Sequence, residues 1–155
     1  MSFFTEENQK RAENIFSQYP DKRSCALPLL HLAQSQEGYL SNETIEKVAE
    51  MCEIEPSEMM DTASFYTMFF RKPMGKYRIQ VCQTLSCSLA GADKVVDHFA
   101  KKLKIQPGET TKDGKFSLLK VECLGSCGTG PVVQLNDDYI EGKTIEELDR
   151  TIDDL

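Results

Sequence analysis

At 155 residues the chain has room for one ordinary domain or two small ones sharing an interface, and 40% hydrophobic with 28% charged residues is a globular rather than a disordered balance. A formal net charge of −7 argues against wrapping nucleic acid or coating an anionic membrane, since both require a basic face. No apolar run approaches the roughly 18–20 residues of a bilayer crossing, and "MSFFTEENQKRAENIF" has neither the apolar core of a signal peptide nor the basic character of a transit peptide.

The expected setting is therefore the reducing cytoplasm without direct membrane insertion, where six cysteines are not a disulfide framework. The first half reads as helices. Thr5 is a candidate N-cap with Glu6 and Glu7 in the first turn, and Ala12, Ile15, Phe16 and Tyr19 form an apolar stripe. Pro20–Asp21 breaks that helix. A second is expected from about Ser24 to Gln36 through Leu27, Leu30 and Leu32, with Pro28 near its start and Gly38 at its end. Ser41 can cap a third, in which Ile45, Val48, Ala49 and Cys52 share one face. Pro56–Ser57 opens a fourth, and "RKPMGK" is the expected boundary between a helical bundle, 1–72, and a second domain, 73–155.

The second half changes period. "KYRIQVC" alternates Tyr77, Ile79 and Val81 as a strand with one buried face. Ala92, Val95, Val96, Phe99, Ala100 and Leu103 follow a helical stripe, and "FSLLKVE" is a second strand. "VVQL" and "YIEG" flank Asn136–Asp137–Asp138 as a hairpin, and Thr144 with Glu147 is a capping box for a last helix. The order is β-α-β followed by β-β-α, an α/β pattern.

Within this frame lie "VCQTLSC" and "VECLGSCGTGP", a C-x4-C pair and a C-x3-C pair. A β-α-β unit of this length makes its strands parallel. Cys82 and Cys123 each close a strand, so both loops leave the carboxyl edge of the sheet, where α/β folds place ligands. Cys82, Cys87, Cys123 and Cys127 are thus expected at one spot. Four thiolates suit zinc or an iron–sulfur cluster. The tight C-x2-C knuckle of structural zinc is absent, and the wider gaps suit the two irons of a [2Fe–2S] rhomb. Gly125, Gly128 and Gly130 strip side chains from the second loop and let backbone N–H groups approach sulfur. A helix is expected to begin near Ser88–Gly91, with its positive end towards the site.

"C-x4-C", then "ECLGSC" after about 35 residues, then "GPVVQLNDDYIEG" resembles the small thioredoxin-like [2Fe–2S] subunit of respiratory complex I, NADH:quinone oxidoreductase. "LPLLHLAQSQEGYLS" and "TASFYTMF" are similar to that family's N-terminal half, so the likeness runs from about residue 11 to residue 150. It implies a thioredoxin-like [2Fe–2S] ferredoxin domain preceded by a small N-terminal helical bundle. It also implies one cluster on Cys82, Cys87, Cys123 and Cys127, next to a partner subunit that holds FMN and NADH and supplies electrons. Association with the membrane would be peripheral, through the parent complex, with no turnover by the isolated chain. Related subunits serve NAD-linked hydrogenases and formate dehydrogenases. The sequence departs from many members at "CGTGP", where they carry a bulkier segment, and Pro131 stands where thioredoxin-like folds commonly have a cis-proline.

The competing function, from a different class, is a zinc-stapled assembly module. A dithiol oxidoreductase is disfavoured because neither pair is C-x-x-C. Cys25 and Cys52 fall among apolar helical positions and read as small core residues, while His31 and His98 are isolated and read as structural. "FYTMFF" is expected to be part core and part exposed contact surface, which would allow the isolated chain to form a homodimer. The acidic "EELDRTIDDL" reads as a solvated helix face.

Overall fold

Four helices and then a small sheet emerge in the computed structural model, which describes residues 3–155. The chain divides into two units, Met1–Pro73 and Met74–Leu155, each with its own core. Among the described residues no helix is long and apolar enough to cross a membrane.

In the first unit the Thr5 hydroxyl accepts from the Asn8 N–H and starts α1 (Glu6–Gln18). Ala12 is buried and Ile15 and Phe16 pack against the core, but Tyr19 lies beyond the helix end and is exposed. The expected helix start at Ser24 is instead a 3-10 turn, Arg23–Cys25, in which Asp21 accepts from the Ser24 N–H at 2.8 Å. That side chain holds the tighter turn before α2 (Ala26–Glu37) begins. Leu27 faces outward while Leu29, Leu30, Leu32 and Ala33 are buried. Ser41 caps α3 (Asn42–Cys52) and Pro56 opens α4 (Pro56–Phe65). The Gln34 amide brackets the aromatic segment, donating to the Met68 carbonyl and accepting from the Phe70 N–H. Phe69 is buried against the core while Phe65 is 77% exposed, the mixture expected of this strip.

The second unit is a four-stranded sheet of order β2-β1-β3-β4, formed by β1 (Tyr77–Cys82), β2 (Phe116–Val121), β3 (Val133–Leu135) and β4 (Asp138–Ile140). β1 and β2 are parallel, with Tyr77 opposite Phe116 and Cys82 opposite Val121. β3 runs antiparallel to β1 and turns through Asn136, at φ 55°, into β4. The Asn136 side chain accepts from the Arg78 N–H while its own N–H donates to the Arg78 carbonyl, extending the ladder into the turn.

β1 differs from the one-faced strand expected of its alternation, because Gln80 is buried along with Ile79 and Val81. The Gln80 amide donates to the Asn136 carbonyl, satisfying it there. Burial of Ser117 is met in the same way, by the Gly75 N–H and the Thr110 hydroxyl, each at 2.7 Å. A short helix α5 (Leu85–Leu89) and a longer one, α6 (Ala92–Leu103), connect β1 to β2, and α7 (Ile145–Asp153) closes the chain behind the Thr144–Glu147 capping box. Asp149 of α7 accepts from Lys102 and bonds His98 of α6, at 2.9 and 2.8 Å, beside buried Leu148, Ile152 and Phe99.

Candidate metal centre

The parallel register of β1 and β2 decides where the cysteines go. Cys82 is the last residue of β1, and Cys123 follows the end of β2 by two residues, so both loops leave the same sheet edge. Their roots are tied together. The Gln83 N–H donates to the Val121 carbonyl at 2.9 Å, and the Gln83 amide donates to the Glu122 carboxylate, also at 2.9 Å. The Cys82 N–H donates to the Val132 carbonyl, which brings in the segment after the second cysteine loop.

Cys82 and Cys87 are both buried, and each bears on the other's ionisation. Cys123 and Cys127 are exposed, and the Cys123 sulfur accepts from the Gly125 N–H at 3.3 Å. Among the described residues no three His, Cys, Asp or Glu side chains close on one point as ligands of a single ion. His31 packs on the Phe69 ring and His98 on Asp149, so neither joins the cysteines. Cys25 and Cys52 lie in the helical core.

The sulfurs sit in a field of donors. Burial pushes the Cys82 thiol up, but the Thr84 hydroxyl, the Leu124 and Thr84 N–H groups and the Cys87 thiol outweigh it, leaving Cys82 below the ordinary thiol value. For Cys87 burial dominates. It outweighs the Val132 N–H and, joined by the hydrogen bond to Cys82 and the Cys82 and Cys127 charges, holds the thiol above that value.

Two loop glycines have separate physical reasons. Gly125 adopts φ +82°, the left-handed region, and this turn aims its N–H at Cys123. Gly130 lies where a Cβ would come within 3.2 Å of the Ala90 Cβ and 3.7 Å of the Cys87 sulfur, so the second loop rests directly on α5. At Gly125 and Gly128 a side chain would meet open space, so of the three glycines expected to clear the approach to sulfur only Gly130 does so by its missing side chain. The Gly130–Pro131 bond is cis.

The helix expected to begin near Ser88–Gly91 forms with Gly91 as its N-cap, but a short helix absent from the sequence pattern precedes it. Cys87 sits inside the single turn of α5, and α6 begins at Ala92 after a left-handed turn at Gly91. Two contacts around the sulfurs are absent from the sequence reading. The Thr84 hydroxyl lies 3.0 Å from the Cys82 sulfur, and the Tyr139 hydroxyl donates to the Leu124 carbonyl at 2.9 Å. Thr84 has a visible signal as a hydroxyl residue between two cysteines of one motif; Tyr139 has none.

Four soft thiols, three of them with amide donors at sulfur, fit an anionic iron–sulfur group, whose sulfurs accept such bonds. The thioredoxin-like [2Fe-2S] ferredoxin family model matches residues 12–155. The chain belongs to this family.

The [2Fe–2S] cluster is this ferredoxin family's group, and the donor set of the present chain suits it. An NADH-quinone oxidoreductase subunit of Rickettsia bellii is 48% identical over 155 residues, covering 98% of this ferredoxin and 93% of the relative. The NADH-quinone oxidoreductase subunit 2 of Thermus thermophilus is 46% identical over 152 residues, covering 96% and 83%. Among solved structures, an NAD+-reducing [NiFe]-hydrogenase in its H2-reduced state superposes with a TM-score of 0.68 at 24% identity, over 81% of this chain and 21% of that one. The likeness to the hydrogenase is one of fold.

Proposed function

We propose that this ferredoxin is the electron-transfer subunit of an NADH–quinone oxidoreductase, holding one [2Fe–2S] cluster on Cys82, Cys87, Cys123 and Cys127 beside a flavin- and NADH-binding partner. The observation that carries the reading is near-half identity, over almost the whole chain, to NADH-quinone oxidoreductase subunits of two organisms. Residues 73–155 form the cluster-binding part and residues 1–72 an appended helical part, with membrane association through partner subunits.

A [2Fe–2S] group on four thiolates supplies a one-electron donor and acceptor. The chain contributes the rest. Cys82 and Cys87 anchor the buried side, amide groups of Thr84, Leu124, Gly125 and Val132 offset negative charge at sulfur, and the Cys123–Cys127 loop faces outward. The outer face of α5 suits docking of the partner. Leu85 and Leu89, one turn apart on the helix that carries Cys87, are 74% and 81% exposed. Apolar side chains so exposed beside the candidate ligands form the core of a contact patch more readily than a solvated face.

The test is anaerobic purification of the full chain with iron, sulfide and zinc analysis, followed by a redox titration monitored by EPR. Two irons and two sulfides per chain with one-electron behaviour are expected, together with co-purification of a flavoprotein that Leu85→Asp/Leu89→Asp weakens. A colourless chain with stoichiometric zinc overturns the cluster reading. A cluster-bearing chain that never associates with a flavoprotein overturns the assignment to the complex.

A further inference from the structure

Among the described residues, four hydroxyl residues occupy the position just before an α-helix. Three do the ordinary work there, with Thr5, Ser41 and Thr144 accepting from the N–H groups of Asn8, Thr44 and Glu147. Thr84, before α5, makes no such bond. Its backbone is not the reason. Thr84 has φ −73° and ψ 162°, against −70° and 164° at Ser41 and −70° and 163° at Thr144. The same backbone geometry is present and the hydroxyl is turned elsewhere, to 3.0 Å from the Cys82 sulfur.

We infer that Thr84 is a positioning residue for the cluster, its hydroxyl donating to the Cys82 sulfur and raising the reduction potential of the centre. The inference rests on the reading that Cys82 is a ligand. A ligand thiolate carries no proton, so of the two groups only the hydroxyl can donate. One-electron reduction adds one negative charge to the group and its sulfurs, the electron coming from a chemical reductant in a titration or from the flavoprotein in the proposed function. A donor held at a ligand sulfur stabilises the more negative form more than the less negative one, and so moves the potential upward. The Thr84 and Leu124 amides act at the same sulfur in the same sense. They belong to the backbone and persist in any side-chain variant, so the hydroxyl's share is separable.

The experiment compares midpoint potentials of the full chain for wild type, Thr84→Val, Thr84→Ala, Thr84→Ser and Ser88→Ala, by spectroelectrochemical titration with EPR of the reduced state. Ser88 is a control on the same helix, its hydroxyl facing Asp93 rather than a cysteine. The Val and Ala variants are expected to shift to more negative potential, with Ser and the Ser88 control at the wild-type value. The helix should persist in all of them, because Thr84 lends it no cap bond. An unchanged potential in Thr84→Val, or an equal shift in Thr84→Ser, overturns the inference while leaving the cluster reading intact. If Val and Ala lose the cluster and Ser keeps it, the hydroxyl holds the site together rather than tuning it, and the inference as stated is also overturned. A wild-type chain that binds no iron refutes the reading beneath it instead.

Discussion

The Tyr139 hydroxyl donates a 2.9 Å hydrogen bond to the carbonyl of Leu124. Tyr139 belongs to β4 and Leu124 follows Cys123, so this bond ties the hairpin to the second cysteine loop. The N–H of the same Leu124 is among the groups that hold the Cys82 thiol below its ordinary value. The residue after Cys123 is thus held by a tyrosine through its carbonyl and offers its N–H to a candidate ligand.

Tyr139→Phe keeps the ring and removes the bond. The loss should be at most about 1 kcal/mol for an exposed bond of this kind, which is up to roughly a fivefold change in an equilibrium. It should fall on the loop rather than on the fold. Cluster loss under a chelator is expected to quicken several-fold, with thermal unfolding of the apo chain nearly unchanged. Equal chelation rates in the two proteins would show that the loop is held by other contacts.

The contact of Gly130 with α5 is steric rather than conformational, since its φ of −63° suits any residue. Gly130→Ala places a methyl 3.2 Å from the Ala90 Cβ and next to the Cys87 backbone. Overpacking of this sort costs about 1–3 kcal/mol, and the exposed loop has more freedom to yield than the strand behind it. Iron content and visible absorbance should fall in Gly130→Ala and recover in the Gly130→Ala/Ala90→Gly double variant, where the opposing methyl is gone. Failure of the second substitution to rescue would place the damage elsewhere in the loop.

What is legible in the sequence is what is local or periodic. The stripe through Val95, Val96 and Phe99, the Thr144–Glu147 box and the Asn136 turn each signal within a few residues, and each forms as expected. Parallel pairing of β1 and β2 follows from the length of the connection alone, and with it the common edge for the two cysteine loops. The five residues of α5 are too few to show a period, so the pattern places Cys87 ahead of a helix rather than inside one. Burial of Gln80 depends on the central place of β1 in the sheet, which strand alternation does not encode. Thr84 shares its N-cap backbone with Thr144, yet its hydroxyl lies at the sulfur of Cys82 two residues earlier instead of capping the helix, which local pattern does not encode.

The two remaining cysteines give a prediction about pH. Cys52 is buried in the helical core, where loss of solvation, and after it the neighbouring Cys25, pushes its thiol up to about 12. Cys25 is shifted in the same direction, by burial and the charge of Asp21. In the unfolded chain such a thiol ionises near its free value of 9.0. Between those limits the native state holds a proton that the unfolded state has released, so stability falls as pH rises, by about 1.4 kcal/mol per pH unit for one such group. Cys52→Ala removes that slope and leaves a small cavity. The variant should be less stable than wild type at pH 7, by about 1 kcal/mol, and the gap should narrow as pH climbs above 9. Denaturant midpoints from pH 7 to 10.5 check this, with the Cys25 slope common to both proteins. The visible spectrum of the cluster-bearing chain should survive Cys52→Ala and be lost or strongly weakened in Cys82→Ser, because an alcohol is a poor substitute for thiolate on iron. The opposite pattern would remove Cys82 from the ligand set and put a core cysteine in its place.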